Sequence, residues 1–444
     1  MTKAQNFDNV FTKRRRIARL AADNPQLACT SLNHYLDVEW LCFAFHQTRR
    51  DGAPGVDGRT WHDDEANLEE NLQSLLERAK SGTYRAPPVR RVYIPKGGST
   101  TETRPIGIPT IEDKVLQRAV MMILEAIYQW QFYDCSFGFR RGRSAHDALD
   151  TLWQQSRKIG VQWILEVDIR KFFDALDHRH WRKFLQLRVC DGVLLRLIGK
   201  WLKAGILEDG SRSYPDAGSP QGGVISPTLA NVYWHYVLDE WFHKEVLPRM
   251  QGKAFLVRFA DDFVIAFTDE HDPRRVMDVL PKRFAKYGWT LHPVKTRLLR
   301  FGRPRRGHVP RAERPGTFDF LGFTHYRGLS LQGNWVIKRK TASSRFTRAV
   351  ATVSVWCQRN RHRPIREQHT ALCQKLRGHF GYYGITGNSQ PLGQFRTAVA
   401  RIWYQWLNRR NHKRLTWARF SRLLKRYPLP PAIPVHSVCR VAKA

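Results

Sequence analysis

The chain has 444 residues and a formal net charge of +35, because 74 Lys and Arg stand against only 39 Asp and Glu. Its length suggests two or three domains, and 42% hydrophobic residues are enough to give each a core. No apolar run is long enough for a membrane span, and none of the seven cysteines forms a C-x-x-C pair that would indicate a zinc site or a disulfide framework. So strong a positive charge favours a polyanionic partner, and nucleic acid is the first candidate.

Residues 1–85 predict mostly helical structure, with a loop at RRDGAPGVDGRT, where Gly, Pro and Asp are turn residues. The N-terminus is polar and then basic, without the apolar region of a signal peptide, so we expect a cytoplasmic protein with no membrane partner. Further along, VRRVYIPK and GVQWILEVDI predict strands, and the apolar spacing of DKVLQRAVMMILEAIYQW predicts a helix.

From Trp335 onward the composition changes: 23 Lys and Arg are accompanied by a single acidic residue, Glu367. Apolar residues at helical spacing in GQFRTAVARIWYQWLNRRNHKRL predict helices with one packed face and one cationic face. We expect a separate helical domain that grips RNA or DNA. Within it, Trp403, Tyr404 and Trp406 have the spacing of core residues, with base-stacking platforms as the alternative.

Two adjacent carboxylates interrupt the otherwise apolar run VRFADDFVIAF (257–267). Its β-rich flanks predict a hairpin with Asp261 and Asp262 at the turn, and plain turn chemistry is the alternative role for these residues. A second apolar strand, in WILEVDIRKFFDALDH, ends at Asp168. If the two strands are neighbours, three carboxylates meet at one sheet edge, and divalent cations that also bind phosphates would relieve their repulsion. A pair of such ions supports in-line phosphoryl transfer.

The order of motifs around these carboxylates resembles that of the reverse transcriptases encoded by bacterial group II introns, the reverse transcriptase/maturase proteins. The box Phe259-Ala260-Asp261-Asp262 matches the family's F/Y-A-D-D palm signature, and VDIRKFFD matches the strand with its first catalytic aspartate. Other blocks match in the family's order: RPIGIPTIEDKVLQRAV, SFGFRRGRSAHDAL, GSPQGGVISPTLANVYWHYVLDEW, LHPVKTRLLRFG, FDFLGF and, in the tail, LRGHFGYYGITGN.

This resemblance implies an α+β fold, a right-hand polymerase with fingers, a palm with an antiparallel sheet, and a thumb, followed by a helical maturase (X) region. It places an N-terminal extension and the start of the fingers at 1–85, the fingers and palm at 86–330, and the thumb and maturase domain at 331–444. Many family members add an H-N-H endonuclease with paired cysteines. Because this chain has no such pairs, we expect no endonuclease domain and no second-strand nicking.

The matched motifs also assign roles to single residues. Asp168, Asp261 and Asp262 match the catalytic, metal-binding carboxylates, and Ile169 is assigned to the same metal site. The other matched positions form a nucleotide-binding group and a primer-gripping group: Lys96, Arg104, Phe173, Gln221 and Lys295 in the first, and Phe320, Leu321 and Gly322 in the second. Within the first group, Lys295 would help to order the nucleotide phosphates.

The expected contacts with the nucleotide have simple physical grounds. The Phe173 ring would clash with the 2′-hydroxyl of a ribonucleotide; Phe172 is the alternative gate, although we expect it to pack in the palm. Gln221 would contact the sugar, because the glycines around it let the backbone approach closely. An ordinary loop is the alternative. Lys96 and Arg104, on a basic hairpin, would clamp the triphosphate, and a solvated basic loop is the alternative.

The resemblance thus implies an RNA-directed DNA polymerase that uses two Mg²⁺ ions, with Mn²⁺ as a substitute, and that binds the intron RNA and assists its splicing and retrohoming. Its partners would be group II intron RNA, an RNA template with a DNA primer, target DNA and dNTPs, while the oligomeric state stays open. Two alternatives remain: a splicing maturase without polymerase activity, and a domesticated or defence-associated reverse transcriptase without an intron. The three intact carboxylates argue against the first.

Overall fold

The structure, a computed structural model, describes residues 7–95, 102–170, 172, 176–208, 211–213, 222–304, 315–410 and 415–436. The chain forms two compact units, the first ending at Leu298 and the second beginning at Leu299. The functional regions expected at 1–85, 86–330 and 331–444 divide the chain differently, and they stay a prediction. None of the described helices is long and apolar enough to cross a membrane. None of the cysteines in the described ranges forms a disulfide.

Helices cover most of the N-terminal region, as expected, and recur through the first unit. They are α1 (Asp8–Asp23), α2 (Val38–His46), α3 (Trp61–Glu65), α4 (Leu68–Ser81), α5 (Ile111–Tyr128), α6 (Ala145–Ile159), α7 (His178–Gln186), α8 (Gly192–Leu202), α9 (Ser226–Trp234) and α10 (His271–Ala285). α5 confirms the helix expected from its apolar spacing. Side-chain caps begin several of them, and capping boxes at Thr60 and Ser144 start α3 and α6. Two π-helical turns, His235–Asp239 and Phe242–Val246, follow α9.

Two four-stranded sheets belong to this part of the chain. One consists of β1 (Val89–Pro95), β2 (Thr103–Ile108), β4 (Ile206–Glu208) and β5 (Ser211–Ser213), in the order β2-β1-β4-β5. The other consists of β3 (Trp163–Val167), β6 (Ala254–Phe259), β7 (Asp262–Phe267) and β8 (Arg297–Arg300), in the order β6-β7-β3-β8. β1 and β3 confirm the two strands predicted from VRRVYIPK and GVQWILEVDI.

An aromatic core supports the second of these sheets. β7 is buried at every position after Asp262. Phe172 is also buried and stacks on Trp234 with ring centroids 5.0 Å apart, while Trp289 meets its edge at 4.9 Å. Phe172 therefore packs in the core, as expected, and its ring is not available as a gate.

The second unit joins a small sheet to a helical domain. Its strands are β9 (Phe318–Phe320), β10 (Phe323–Leu329) and β11 (Trp335–Thr341), in the order β11-β10-β9, and its helices are α11 (Ser343–Arg359), α12 (Ile365–Tyr383), α13 (Ser389–Asn408) and α14 (Trp417–Arg426). The expectation of helix from Trp335 onward was wrong for its first segment. Side chains alternate in burial there, with Ile337, Arg339 and Thr341 inward, so the segment pairs with β10 as a strand.

The tryptophans of α13 belong to the core of this unit. Trp403 has no exposed surface, and its indole N–H donates to Gln368 Oε1 at 3.0 Å. Tyr404 and Trp406 are half-buried and pack around the same core. The core interpretation is confirmed for Trp403, and base stacking is excluded for it.

Candidate active site

The two adjacent aspartates lie at the tip of the hairpin formed by β6 and β7. Phe259 pairs with Asp262, so the loop consists of Ala260 and Asp261 alone. Ala260 has a φ of 57°, the positive value that two-residue hairpin loops need at their first position. The predicted hairpin is confirmed, but its predicted turn was wrong by one residue, because Asp262 begins β7 and only Asp261 lies in the loop.

Asp168 follows the neighbouring strand and lies at the same edge of the sheet. β3 and β7 run antiparallel with Val167 opposite Phe263, and extending that register by one residue places Asp168 beside Asp262. The backbone on the far side of Asp168 is held as well, because the N–H of His292 donates to its carbonyl at 2.8 Å. One edge of one sheet therefore carries all three carboxylates.

The environment of Asp261 disfavours its charge. The side chain reaches the surface, but the protein around its carboxyl excludes enough water to raise the pKa above the ordinary value. A backbone hydrogen bond lowers this pKa, the nearby Asp168 raises it again, and Arg104 and Arg258 lower it. The charges of Asp261 and Asp168 therefore interact, and a cation at this edge would favour the ionised form of Asp261.

Lys295 supplies one such cation to Asp168. Its ammonium nitrogen lies 2.7 Å from Asp168 Oδ2, and the two side chains are 60% and 32% exposed. The loop that carries Lys295 is tied to Asp168, whose carbonyl accepts from the Thr296 hydroxyl at 3.3 Å. Because the pair is open to water, its attraction contributes at most about 1 kcal/mol. Another cation, or an incoming phosphate, can therefore separate it.

The carboxylates do not form a closed metal cage. Across the described ranges, no three Asp, Glu, His or Cys side chains are grouped closely enough to hold one ion. Mg²⁺, however, usually takes one or two carboxylates and completes its octahedron with water and substrate phosphates. The donors of Asp168, Asp261 and Asp262 are all carboxylate oxygens, and Asp261 is disfavoured as an isolated anion, so the residues fit such an ion. Their catalytic role stays a prediction.

The structure describes some of the other residues predicted for this region. Three of them lie outside the described residues: Lys96, Phe173 and Gln221. Arg104, on β2, acts on the charge of Asp261 and therefore belongs to the same region. Ile169 is buried and forms an isolated antiparallel bridge with Leu291, and its assignment to the metal stays a prediction.

The predicted primer-gripping residues lie in the second unit, at a tight turn. Phe320 is buried at the end of β9, and Leu321 and Gly322, with φ of 49° and 81°, form the two-residue loop to β10. The Tyr382 hydroxyl donates to the Leu321 carbonyl at 2.8 Å, and the N–H of Ala342 donates to the Gly322 carbonyl at 3.0 Å. The segment is thus a fixed hairpin turn, while its contact with a primer stays a prediction.

Sequence reasoning missed the polar support beneath the β6–β7 tip. Arg258, which precedes Phe259, has a fully buried side chain that pairs with the fully buried Asp239. The visible signal was a charged residue inside an apolar strand, in LVRFADD. Its partner lies 19 residues away in a π-helical turn, which no spacing rule indicates.

The chain is similar to several known proteins. Residues 94–325 match the family model described as reverse transcriptase (RNA-dependent DNA polymerase). The chain is 30% identical over 454 residues to the group II intron-encoded protein LtrA of Lactococcus lactis subsp. cremoris, covering 86% of this chain and 74% of that protein. It is 38% identical over 247 residues to protein YkfC of Escherichia coli strain K12, covering 54% of this chain and 63% of that protein. The chain therefore belongs to the group II intron-encoded reverse transcriptase/maturase family.

Proposed function

We propose that the sheet edge with Asp168, Asp261 and Asp262 is where this RNA-directed DNA polymerase adds deoxynucleotides to a DNA primer along an RNA template. The observation that carries the proposal is the antiparallel register of β3 and β7, which places Asp168 beside the hairpin tip. The charge interaction between Asp168 and Asp261 supports it, because two carboxylates in one place favour a cation that binds phosphate.

The three carboxylates would hold two Mg²⁺ ions, or Mn²⁺ in their place, with Ile169 beside them. When bound, two such ions stabilise the attacking and leaving oxygens of an in-line transfer. The protein's own part is to keep the oxygen donors at one edge of a rigid sheet. It also keeps Asp261 available as an anion, since Arg104 and Arg258 oppose the desolvation that would otherwise favour its protonated form.

The basic residues of the region would bind the nucleotide. Lys295, which neutralises Asp168 in the structure, would turn to the nucleotide phosphates once a metal ion takes its place. Arg104, together with Lys96, would hold the triphosphate by hydrogen bonds to its oxygens. Gln221 would contact the sugar, and Phe173 would exclude the 2′-hydroxyl.

The cationic helices would hold nucleic acid by its backbone. α14 presents Arg419, Arg422, Lys425 and Arg426 to solvent around the buried Phe420. Such charges grip the phosphates of a template–primer duplex or of the intron RNA without reading base edges. In this proposal 1–85 is the N-terminal extension and the start of the fingers, 86–330 is the fingers and palm, and 331–444 is the thumb and maturase domain. The protein would act in the cytoplasm on intron RNA, with target DNA as its second nucleic-acid partner.

Removing the Asp261 carboxylate should stop DNA synthesis and spare RNA binding. For Asp261→Ala we expect primer extension on an RNA template with Mg²⁺ to fall at least about 100-fold, the loss typical when a group that stabilises transition-state charge is removed. RNA affinity should stay near the wild-type value, because no phosphate contact is lost. Asp278→Ala, an exposed aspartate on α10, makes the same charge change and should leave synthesis unchanged. Equal loss of synthesis and RNA binding would contradict the assigned role.

Removing the Lys295 ammonium should strengthen metal binding by the free protein. The ammonium and the metal ion compete for Asp168, so Lys295→Met should bind Mn²⁺ roughly two- to five-fold more tightly, as expected from breaking an exposed ion pair. Titration of free Mn²⁺ by electron paramagnetic resonance measures this without any reaction. Lys286→Met removes an exposed lysine at the end of α10 and corrects for the change in net charge. Unchanged or weaker Mn²⁺ binding in Lys295→Met would rule out the competition.

Binding of nucleic acid should weaken steeply with salt. We expect the logarithm of the association constant for an RNA–DNA hybrid to fall with the logarithm of salt concentration at a slope of at least about 4, since each neutralised phosphate contributes roughly 0.7–0.9. Fluorescence anisotropy measures the slope. Arg419→Gln with Arg422→Gln should reduce it, whereas Arg274→Gln with Lys282→Gln on α10 should not. A flat salt response would refute a grip dominated by phosphates.

A further inference from the structure

The guanidinium of Arg258 is saturated with hydrogen bonds. Nε and Nη2 donate to the two carboxylate oxygens of Asp239 at 2.8 and 2.6 Å. Nη2 also donates to the Ser136 hydroxyl at 2.7 Å, and Nη1 donates to Asn231 Oδ1 at 3.1 Å and to the Ala260 carbonyl at 3.0 Å. An arginine side chain has five N–H donors, and all five have a partner here. We call this set of five residues the Arg258 clamp.

Stability alone does not account for the Arg258 clamp. Both charged side chains are 0% exposed, so each has lost its hydration. Replacing a buried ion pair by apolar side chains of similar size is often neutral or stabilising, whereas such a pair can fix one geometry among several. The geometry fixed here includes the Ala260 carbonyl, which lies in the two-residue loop immediately before Asp261.

Neighbouring elements hold the same loop from the other side. The backbone N–H of Arg258 donates to the Cys135 carbonyl at 2.8 Å, and the backbone carbonyl of Arg258 accepts from the N–H of Phe137 at 2.9 Å. A Cβ on Gly138 would lie 2.2 Å from the Ala260 nitrogen, so only glycine permits this approach. Asn231, whose Oδ1 accepts from Nη1 of Arg258, also donates from its Nδ2 to the Gly138 carbonyl at 2.7 Å. The loop is thus held between segment 135–138 and the guanidinium.

We propose that Arg258 is a positioning residue for DNA synthesis, which acts by fixing the Ala260 carbonyl and with it the direction of the Asp261 and Asp262 side chains. Asp239 has the second role in this proposal, because it orients the guanidinium through both carboxylate oxygens. The inference rests on the proposed function of these two aspartates. It adds that their placement depends on an ion pair whose two side chains have no exposed surface.

The test compares one single variant with a double variant. Arg258→Met leaves the Asp239 carboxylate buried without its cation, so it should lower thermal stability as well as activity. The double variant Arg258→Met with Asp239→Leu removes both charges and should regain the midpoint of thermal unfolding. Its kcat should nevertheless stay about 10- to 100-fold below wild type, because small misplacements of reacting groups cost on the order of 100-fold. The Mg²⁺ concentration for half-maximal rate should rise, while RNA affinity stays unchanged.

Arg258→Lys separates charge from geometry. A lysine keeps the positive charge but cannot donate to both oxygens of Asp239 and also to Ala260 from a planar fork. We expect its kcat to resemble that of Arg258→Met. Arg188→Met is the matched control: Arg188 is also buried, and its Nη atoms donate to the Asn24 and Ala21 carbonyls at 3.0 Å each. This control should lower stability and leave kcat and the Mg²⁺ requirement of the folded protein unchanged.

The outcomes distinguish this inference from the proposed function. A double variant that regains both stability and kcat would overturn the positioning role, as would an Arg188→Met protein with the same shift in Mg²⁺ requirement. If one of these outcomes occurs while Asp261→Ala abolishes synthesis, the positioning role of Arg258 is refuted and the proposed function stands. If Asp261→Ala retains synthesis, the proposed function fails first, whatever the Arg258 variants do.

Discussion

The repulsion between carboxylates at one sheet edge is the constraint to which the rest of the active-site region responds. The antiparallel register of β3 and β7 brings Asp168 to the strand end where Asp261 completes the hairpin loop and Asp262 begins the return strand. A slip of one residue would turn Asp168 to the opposite face, so the placement of the carboxylates depends on this register. Burial of its carboxyl raises the pKa of Asp261 above the ordinary value, the nearby Asp168 adds to this rise, and both effects favour a cation at this edge.

One arginine and one lysine side chain near these carboxylates form ion pairs of two different kinds. Arg258 is buried and saturated with hydrogen bonds, which suits a role in fixing the geometry of the hairpin tip. Lys295 is exposed and holds Asp168 by a single weak contact, so it can leave when a metal ion or a phosphate arrives. In the proposed function, the buried ion pair keeps the hairpin tip in place, and the exposed one exchanges during nucleotide binding and release.

Local pattern was enough to predict much of this arrangement, and tertiary contacts decided the rest. The apolar runs of β3 and α5 and the polar centre of the β6–β7 hairpin have clear local signals. The one-residue error at the turn has a tertiary cause, since Ala260 adopts its positive φ while Gly138 and Arg258 hold it from two sides. The partners of Arg258 could not be predicted, because a π-helical turn, which has no sequence period of its own, presents Asp239.

The central claim is that Asp168 and Asp261 act as one unit in nucleotide transfer, and a double-mutant cycle tests it most directly. Single-turnover primer extension would be measured for Asp168→Asn, Asp261→Asn and the two together. Residues that act as a unit lose their effect together, so the double variant should be about as slow as the slower single variant. Losses that multiply, or an Asp168→Asn protein with nearly wild-type rate, would show that the two carboxylates do not share one site.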